Sequence, residues 1–264
     1  MTASTLDRVA LISDVHGNVT AFEAVLADLS RRGVTTVMNL GDVAGKGPRG
    51  SECVRLSRET CAVTVRGNWD DFLPIDDTNR PAEMQWWNAE LSRFDKSWLK
   101  SLPLAHHFTM SGRVVRLVHA SAESVYTRIH PDCTQQEFDG MFADTEMTGP
   151  SGGSSVVCYG DIHNAFQQIR AGRTLINVGS VGNSLDIPGA SYALLEGVLD
   201  GTGDDAFAVQ FVRVPYDIEA EIRVAEELDM PALPQYAVEL RTALYRGGER
   251  AVPLIEAERA RLAR

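Results

Sequence analysis

The sequence predicts an α/β fold that opens on a parallel sheet. Two observations carry this. From residue 8 to residue 65, short apolar runs alternate with segments of helical period, the order that sets parallel strands between crossover helices. In addition, each of those runs closes on a polar turn at its C-terminal end, such as Gly41-Asp42 or Gly67-Asn68.

Taken in order, 8–13 reads as the first strand and 19–32 as a helix. Phe22, Val25, Leu26 and Leu29 share one face of that helix, and Gly33 ends it. A second strand covers 35–40. Ser51 is expected to cap a short helix carrying Val54 and Leu56, and 61–65 forms the third strand. Residues 71–103 break the rhythm. Pro74 and Pro81 bound a loop, and 83–94 and 95–102 read as helices anchored by Trp86, Trp87 and Trp98. Ser111-Gly112 and Ala171-Gly172 mark hairpins, 107–119 and 165–178. Residues 134–142 are a short helix, 144–155 a surface loop and 155–159 a strand. A last strand pair, 192–195 and 207–214, precedes a helical tail. Pro231, Pro234 and Gly247-Gly248 split that tail into three segments. The simplest division is a core domain over 1–216, with a helical insertion near 74–103, and a helical extension over 217–264.

The formal net charge is −11, so the chain repels polymeric nucleic acid. It does not exclude small phosphorylated ligands, because a bound cation inverts the local field. Cys53, Cys61, Cys133 and Cys158 form no Cys-x-x-Cys pair, as expected of reduced thiols in a cytoplasmic protein. Residues 1–7 have no signal-peptide pattern, and no apolar run reaches the roughly 18 residues of a membrane span.

The chemistry concentrates at the strand ends. Asp14 and His16 follow the first strand, two residues apart, so the strand period puts them on one side. They read as a metal pair or, alternatively, as an Asp that caps the next helix beside a packing His. The second strand ends at Asp42, the third at Asn68, the 113–119 strand at His119, and the 155–159 strand at Asp161 and His163. Ligands of open α/β sheets bind outside these carboxyl ends. Seven nitrogen and oxygen ligands without thiolate suit two ions of manganese, iron or zinc type that share a bridging carboxylate.

The ordered set Asp14-x-His16, Gly41-Asp42, Gly67-Asn68-x-Asp70, His119 and Gly160-Asp161-x-His163 resembles the calcineurin-like metallophosphoesterase superfamily, in its small bacterial phosphodiesterase/phosphatase branch. Val178-Gly179-Ser180-Val181-Gly182 and Val214-Pro215-Tyr216-Asp217 add to the match, which covers roughly 8–217. The resemblance implies a four-layer α-β-β-α sandwich of two mixed sheets. It implies one ion held by Asp14, His16, Asp42 and His163, and a second held by Asp42, Asn68, His119 and residue 161. It also implies hydrolysis of phosphodiester, phosphoanhydride or phosphomonoester bonds by a hydroxide bridging the ions, with Asn68 and His119 in catalytic positions.

Two departures stand out. The family's last motif usually reads Gly-His-x-His, whereas here Asp161 replaces the first imidazole. A carboxylate can still bind the second ion and favours Mn²⁺ or Fe²⁺ over Zn²⁺; turned away, it leaves that ion weak or absent. Trp69 stands where many members carry a His that protonates the leaving group. An indole cannot do so, which favours anhydrides and activated esters. His106, His107 and His130 are possible substitutes but read as ordinary surface or loop histidines.

Gly45-Lys46-Gly47-Pro48-Arg49-Gly50 satisfies G-x-G-x-x-G, but its Pro and its distance from the strand argue against a dinucleotide loop. Asn18, Lys46 and Arg49 are candidate substrate contacts, with a solvated turn as the plainer reading of the two cations. The rival reading is a catalytically weak relative that binds a nucleotide or a protein partner. A small phosphorylated substrate, nucleotides included, is the expected ligand. The tail can dock on its own core or pair two subunits as a homodimer.

Overall fold

A computed structural model describes residues 6–262; expectations about residues 1–5 and 263–264 lie outside it. In chain order it runs β1 (Asp7–Ile12), α1 (Val19–Arg31), β2 (Thr36–Asn39), α2 (Gly50–Thr60), β3 (Val63–Thr64) and α3 (Asn68–Phe72). Next come α4 (Ala82–Glu90), α5 (Arg93–Ser101), β4 (Ala105–Met110), β5 (Arg113–Val118), α6 (Gln135–Gly140) and β6 (Val156–Tyr159). The chain ends with β7 (Phe166–Arg170), β8 (Arg173–Asn177), β9 (Ala190–Gly197), β10 (Ala208–Val214), α7 (Ile218–Glu227), α8 (Leu233–Thr242) and α9 (Val252–Leu262).

The strands form two mixed sheets of five, ordered β10-β9-β1-β2-β3 and β4-β5-β6-β8-β7. β1, β2 and β3 are parallel, as the alternation predicts, and β9 joins β1 antiparallel. Side-chain alternation explains why the sheets stack. Val9 and Leu11 of β1 meet Leu117, Cys158 and Ile176 of the second sheet. Ala10 and Ile12, one residue out of phase, meet Phe22, Val25 and Leu29 of α1. The far face of the second sheet presents Val157, Tyr159 and Leu175 to Phe138 of α6 and to Met141. The four-layer sandwich is therefore present.

Local differences have local causes. The residue that caps α1 is Asn18, whose Oδ1 accepts from Ala21 N at 2.9 Å; this removes the helix-cap reading of Asp14. Ser51 does not cap α2, which starts at Gly50 with Arg49 at the cap position. Instead Ser51 N donates to Glu90 at 3.0 Å and Ser51 Oγ bonds Asp95, fastening the inserted helices. That insertion breaks at Leu91-Ser92 because Ser92 and Asp95 form a capping box that starts α5. α3 was not foreseen: its five residues, Asn-Trp-Asp-Asp-Phe, carry no helical periodicity.

The tail docks on its own core. Fully buried Glu221 of α7 pairs with Arg49 at 2.5 Å and accepts from Thr20 of α1 at 2.6 Å. α8 packs on α7 through Tyr236, Ala237 and Leu240. A buried carboxylate is tolerable only with such partners.

Burial lifts the carboxyl of Glu90 to about 7 from an ordinary 4.5. A carboxyl that binds its proton more tightly when folded stabilises the fold at low pH, and that contribution fades as pH rises from 4.5 through about 7. Glu90→Gln keeps the acceptor for Ser51. It should leave stability unchanged at pH 4.5 and raise it by about 2 kcal/mol at pH 8 in urea denaturation; equal effects at both pH values would refute this role.

Candidate metal centre

The candidate ligands stand on loops just beyond the strands, and the backbone there is unusual. Asp14, His16, Asp42, Asp161 and His163 have φ values of +54°, +49°, +56°, +64° and +60°. Non-glycine residues avoid this region at a cost of order 1 kcal/mol each. The same-side placement of Asp14 and His16 is therefore not strand alternation, since β1 ends at Ile12; it comes from left-handed backbone at Asp14 and again at His16. Neighbouring loops hold the turns. Asp14 N donates to Gly41 O and His16 N to Asp42 O, each at 2.9 Å, and Gly182 N donates to Asp14 O at 3.0 Å. At Gly67 and Gly160 the loops approach so closely that a methyl group would strike the carboxylates of Asp42 and Asp14.

These turns aim the polar ends at one spot. His163 Nε2 lies 3.1 Å from His16 Nε2 and 3.2 Å from Asp14 Oδ1. His16 Nε2 lies 3.7 Å from Asp14 Oδ1 and 3.5 Å from Asp42 Oδ2. On the other side, His119 Nε2 is 3.4 Å from Asp42 Oδ1 and 3.9 Å from Asp161 Oδ1. Two groups have ligand atoms close enough to share an ion, Asp14-His16-His163 and Asp14-Asp42-His119. Asp161 belongs to neither group; its Oδ2 lies 3.4 Å from Arg128 Nε. Asn68 opens α3, and its Oδ1 accepts from Trp69 N at 3.1 Å, the same N–H that donates to Asp42 Oδ1 at 2.9 Å.

The surroundings prepare the ligands. His119 Nδ1 faces Leu40 O at 2.8 Å and His163 Nδ1 faces Asn183 O at 2.5 Å. These carbonyls hold protons on Nδ1 and turn the Nε2 lone pairs inward, the usual arrangement behind a metal-binding imidazole. Asp70 uses both oxygens on backbone N–H groups of Asp42, Val43 and Gly67. Burial, reinforced by Asp42, raises its carboxyl to about 7. Burial opposes ionisation of Asp14 but His163 outweighs it, bringing Asp14 down to about 2. Burial, then Lys46, hold His16 well below the ordinary imidazole value. For His119 burial is overcome by Asp42, which lifts it to about 10. Asp14 Oδ1, His119 Nε2 and Asp161 Oδ2 are buried with no hydrogen-bond partner. Unpaired buried polar atoms cost too much to be incidental when they converge, so the donor set fits divalent cations.

The other predicted residues separate clearly. Lys46 Nζ sits 3.3 Å from His163 Nε2 and 5.6 Å above the Trp69 ring, at the edge of the centre. Arg49 is committed to Glu221 and Thr20. Asn18 spends its amide on Gly182 O and Tyr216 O–H as well as on the cap. Trp69 packs edge-on against His16 and against Trp87. His106 and His107 lie on β4, where His107 accepts from Arg116. His130 instead borders a cleft of about 280 Å³ with Lys46, Arg128, Asp161, His163 and Tyr245. Arg128, Asn183 and Tyr245 were not foreseen, because none lies in a strand-end motif.

A four-layer α/β sandwich whose strand-end loops gather buried Asp and His residues defines a metallophosphoesterase type of site. The calcineurin-like phosphoesterase superfamily domain matches residues 8–198, and the chain belongs to that superfamily. It is 28% identical over 245 residues to an uncharacterized protein of Methanocaldococcus jannaschii, covering 86% of this chain and 94% of that one. It superposes on the crystal structure of a metallophosphoesterase from Sphaerobacter thermophilus with TM-score 0.70 and 27% identity, covering 90% of this chain and all (100%) of the other. A hypothetical protein from Pyrococcus horikoshii shares the fold, with TM-score 0.68 and 15% identity over 91% of this chain and 98% of its own.

Arg49→Ala should strand Glu221 without its charge partner and lower stability by about 3 kcal/mol, leaving the affinity for inorganic phosphate unchanged. Thermal denaturation and phosphate titration check this; a normal melting temperature with weaker phosphate binding would return Arg49 to the substrate.

Proposed function

We propose that the protein is a dinuclear metal-dependent phosphoesterase acting on small phosphorylated substrates. The observation that carries this reading is the convergence of buried ligand atoms in two adjoining groups, Asp14-His16-His163 and Asp14-Asp42-His119, with Asp14 Oδ1 and His119 Nε2 left without a hydrogen-bond partner. Asp14, His16, Asp42 and His163 would hold one cation, and Asp42, Asn68, His119 and Asp161 the other. The oxygen-rich second set favours Mn²⁺ or Fe²⁺ over Zn²⁺. Such ions supply an acidified water for attack on phosphorus and neutralise charge on its oxygens.

The chain's own groups do the rest. The Asn68 amide and the Lys46 ammonium donate to non-bridging phosphoryl oxygens as their charge grows. Loop carbonyls Leu40 O and Asn183 O keep the two imidazoles from rotating. Trp69 packs against His16 and offers no acidic proton. Good leaving groups, such as the phosphate of an anhydride or an aryl oxide, therefore suit this site. His130, at the cleft edge, is the histidine placed to assist poorer ones. An acidic surface argues against polymeric nucleic acid as substrate, and we place the protein in the cytoplasm. Among the described residues no helix is long and apolar enough to cross a membrane.

Metal analysis with bis-p-nitrophenyl phosphate and p-nitrophenyl phosphate assays, with and without Mn²⁺, tests the proposal. Two ions per chain and Mn²⁺-dependent turnover are expected, with turnover falling at least 10³-fold in Asp42→Ala. Fewer than one ion per chain and no turnover would favour a binding protein instead. Asp161→His should keep the second ion and shift metal preference toward Zn²⁺; unaltered metal content and preference would take Asp161 out of the coordination set.

A further inference from the structure

The cleft beside the metal centre has one wall that comes from outside the catalytic motifs. Tyr245, in the α8–α9 connection, lines it together with Arg128 and Lys46. Tyr245 is 56% exposed and Arg128 55% exposed in its side chain. An exposed tyrosine is commonplace, but this one is held in place. The next residue, Arg246, donates through its backbone N and its guanidinium to Glu239 at 2.5–2.8 Å. Buried Glu239 also accepts from Asn183 Nδ2 at 3.1 Å, and Asn183 O receives His163 Nδ1. The ring lies over Gly247, where a methyl group would collide with it, and Gly248 N donates to Tyr245 O at 2.8 Å. The segment presenting the ring is thus tied, through the Asn183 side chain, to the residue whose carbonyl orients a candidate ligand.

The same cleft is lined by two cations, Lys46 and Arg128, beside the carboxylate of Asp161, in an otherwise acidic protein. Lys46 Nζ stands 3.3 Å from His163 Nε2, and Arg128 Nε stands 3.4 Å from Asp161 Oδ2 on a side chain that is more than half exposed. An aromatic ring lining the same cleft as two cations suits a planar ring joined to phosphate: the ring stacks and the phosphate meets the cations. A volume of about 280 Å³ is of the size that a nucleoside-scale group needs.

We propose that this cleft is a subsite for the nucleoside or aryl part of the substrate, with Tyr245 as its stacking wall and Arg128 as its phosphate contact. This rests on the phosphoesterase reading and narrows its substrate class to nucleoside or aryl phosphates. The C-terminal helices then set specificity, while the strand-end loops carry the chemistry.

Calorimetric titration of the Mn²⁺-loaded protein with adenosine 5′-monophosphate and with ribose 5-phosphate tests the subsite. Wild-type protein should bind the adenosine compound about tenfold more tightly. Tyr245→Ala should abolish that ratio and Tyr245→Phe preserve it. Arg128→Ala should weaken both ligands alike, by about tenfold. Equal affinities in the wild type, or a ratio that survives Tyr245→Ala, would overturn the proposal. Circular dichroism and metal content of each variant show whether the centre is intact, and the two aromatic variants serve as mutual controls for folding. If phosphoesterase activity itself is absent, bis-p-nitrophenyl phosphate goes unhydrolysed by the wild type whatever these binding ratios are, so the two failures are distinct.

Discussion

The structure depends on a set of backbone turns that no side chain in them favours. Asp14, His16, Asp42, Asp161 and His163 all adopt left-handed conformations. Each is tolerated because an adjacent loop supplies its hydrogen bonds. Asp42 N is held by Asp70, Asp161 N by the carboxylate of Asp14, and Leu185 N donates to His163 O. The sandwich brings the loops close enough for this lacing, and the lacing in turn fixes where imidazoles and carboxylates meet. Strain in the turns and convergence of the ligands are one feature seen from two sides.

Charge is arranged with similar economy. Three buried carboxylates, Asp14, Asp42 and Asp161, crowd one pole of the molecule. Against the effect of burial, Asp42 first, then Asp14 and Asp161, lift His119 to about 10. Asp70, directly behind, ties three backbone N–H groups and is itself raised by burial and by Asp42. A centre so loaded draws cations, and Lys46 and Arg128 stand at its edge rather than within it.

Much of this was legible in the amino-acid order. The parallel β1-β2-β3 core follows from alternating apolar runs, and the strand-end positions of Asp14, Asp42, His119 and His163 follow from where those runs stop. The breaks in the tail fall where its prolines and glycines stand. What sequence could not convey was long-range pairing. Ser51 reads as a helix cap until Glu90 and Asp95 are folded against it, and Arg49 reads as a solvated turn residue or a candidate phosphate contact until Glu221 is buried beside it. Arg128, Asn183 and Tyr245 carry no motif, because their relation to the centre exists only in three dimensions. The twofold periodicity that suggested Asp14 and His16 share a side gave the right placement for the wrong reason.

The bond from Asn183 to Glu239 has a temporal consequence. A chain made from its N-terminus acquires the sheets first and can gather Asp14, Asp42, His119 and His163 early. Glu239 and Arg246 emerge later, so the last wall of the cleft and the brace behind Asn183 arrive after the chemistry is assembled. For an interval during synthesis the nascent protein would hold an open, solvent-flooded centre with no shaped neighbour. The brace behind Asn183 is a late addition to the centre, made when the final helices settle.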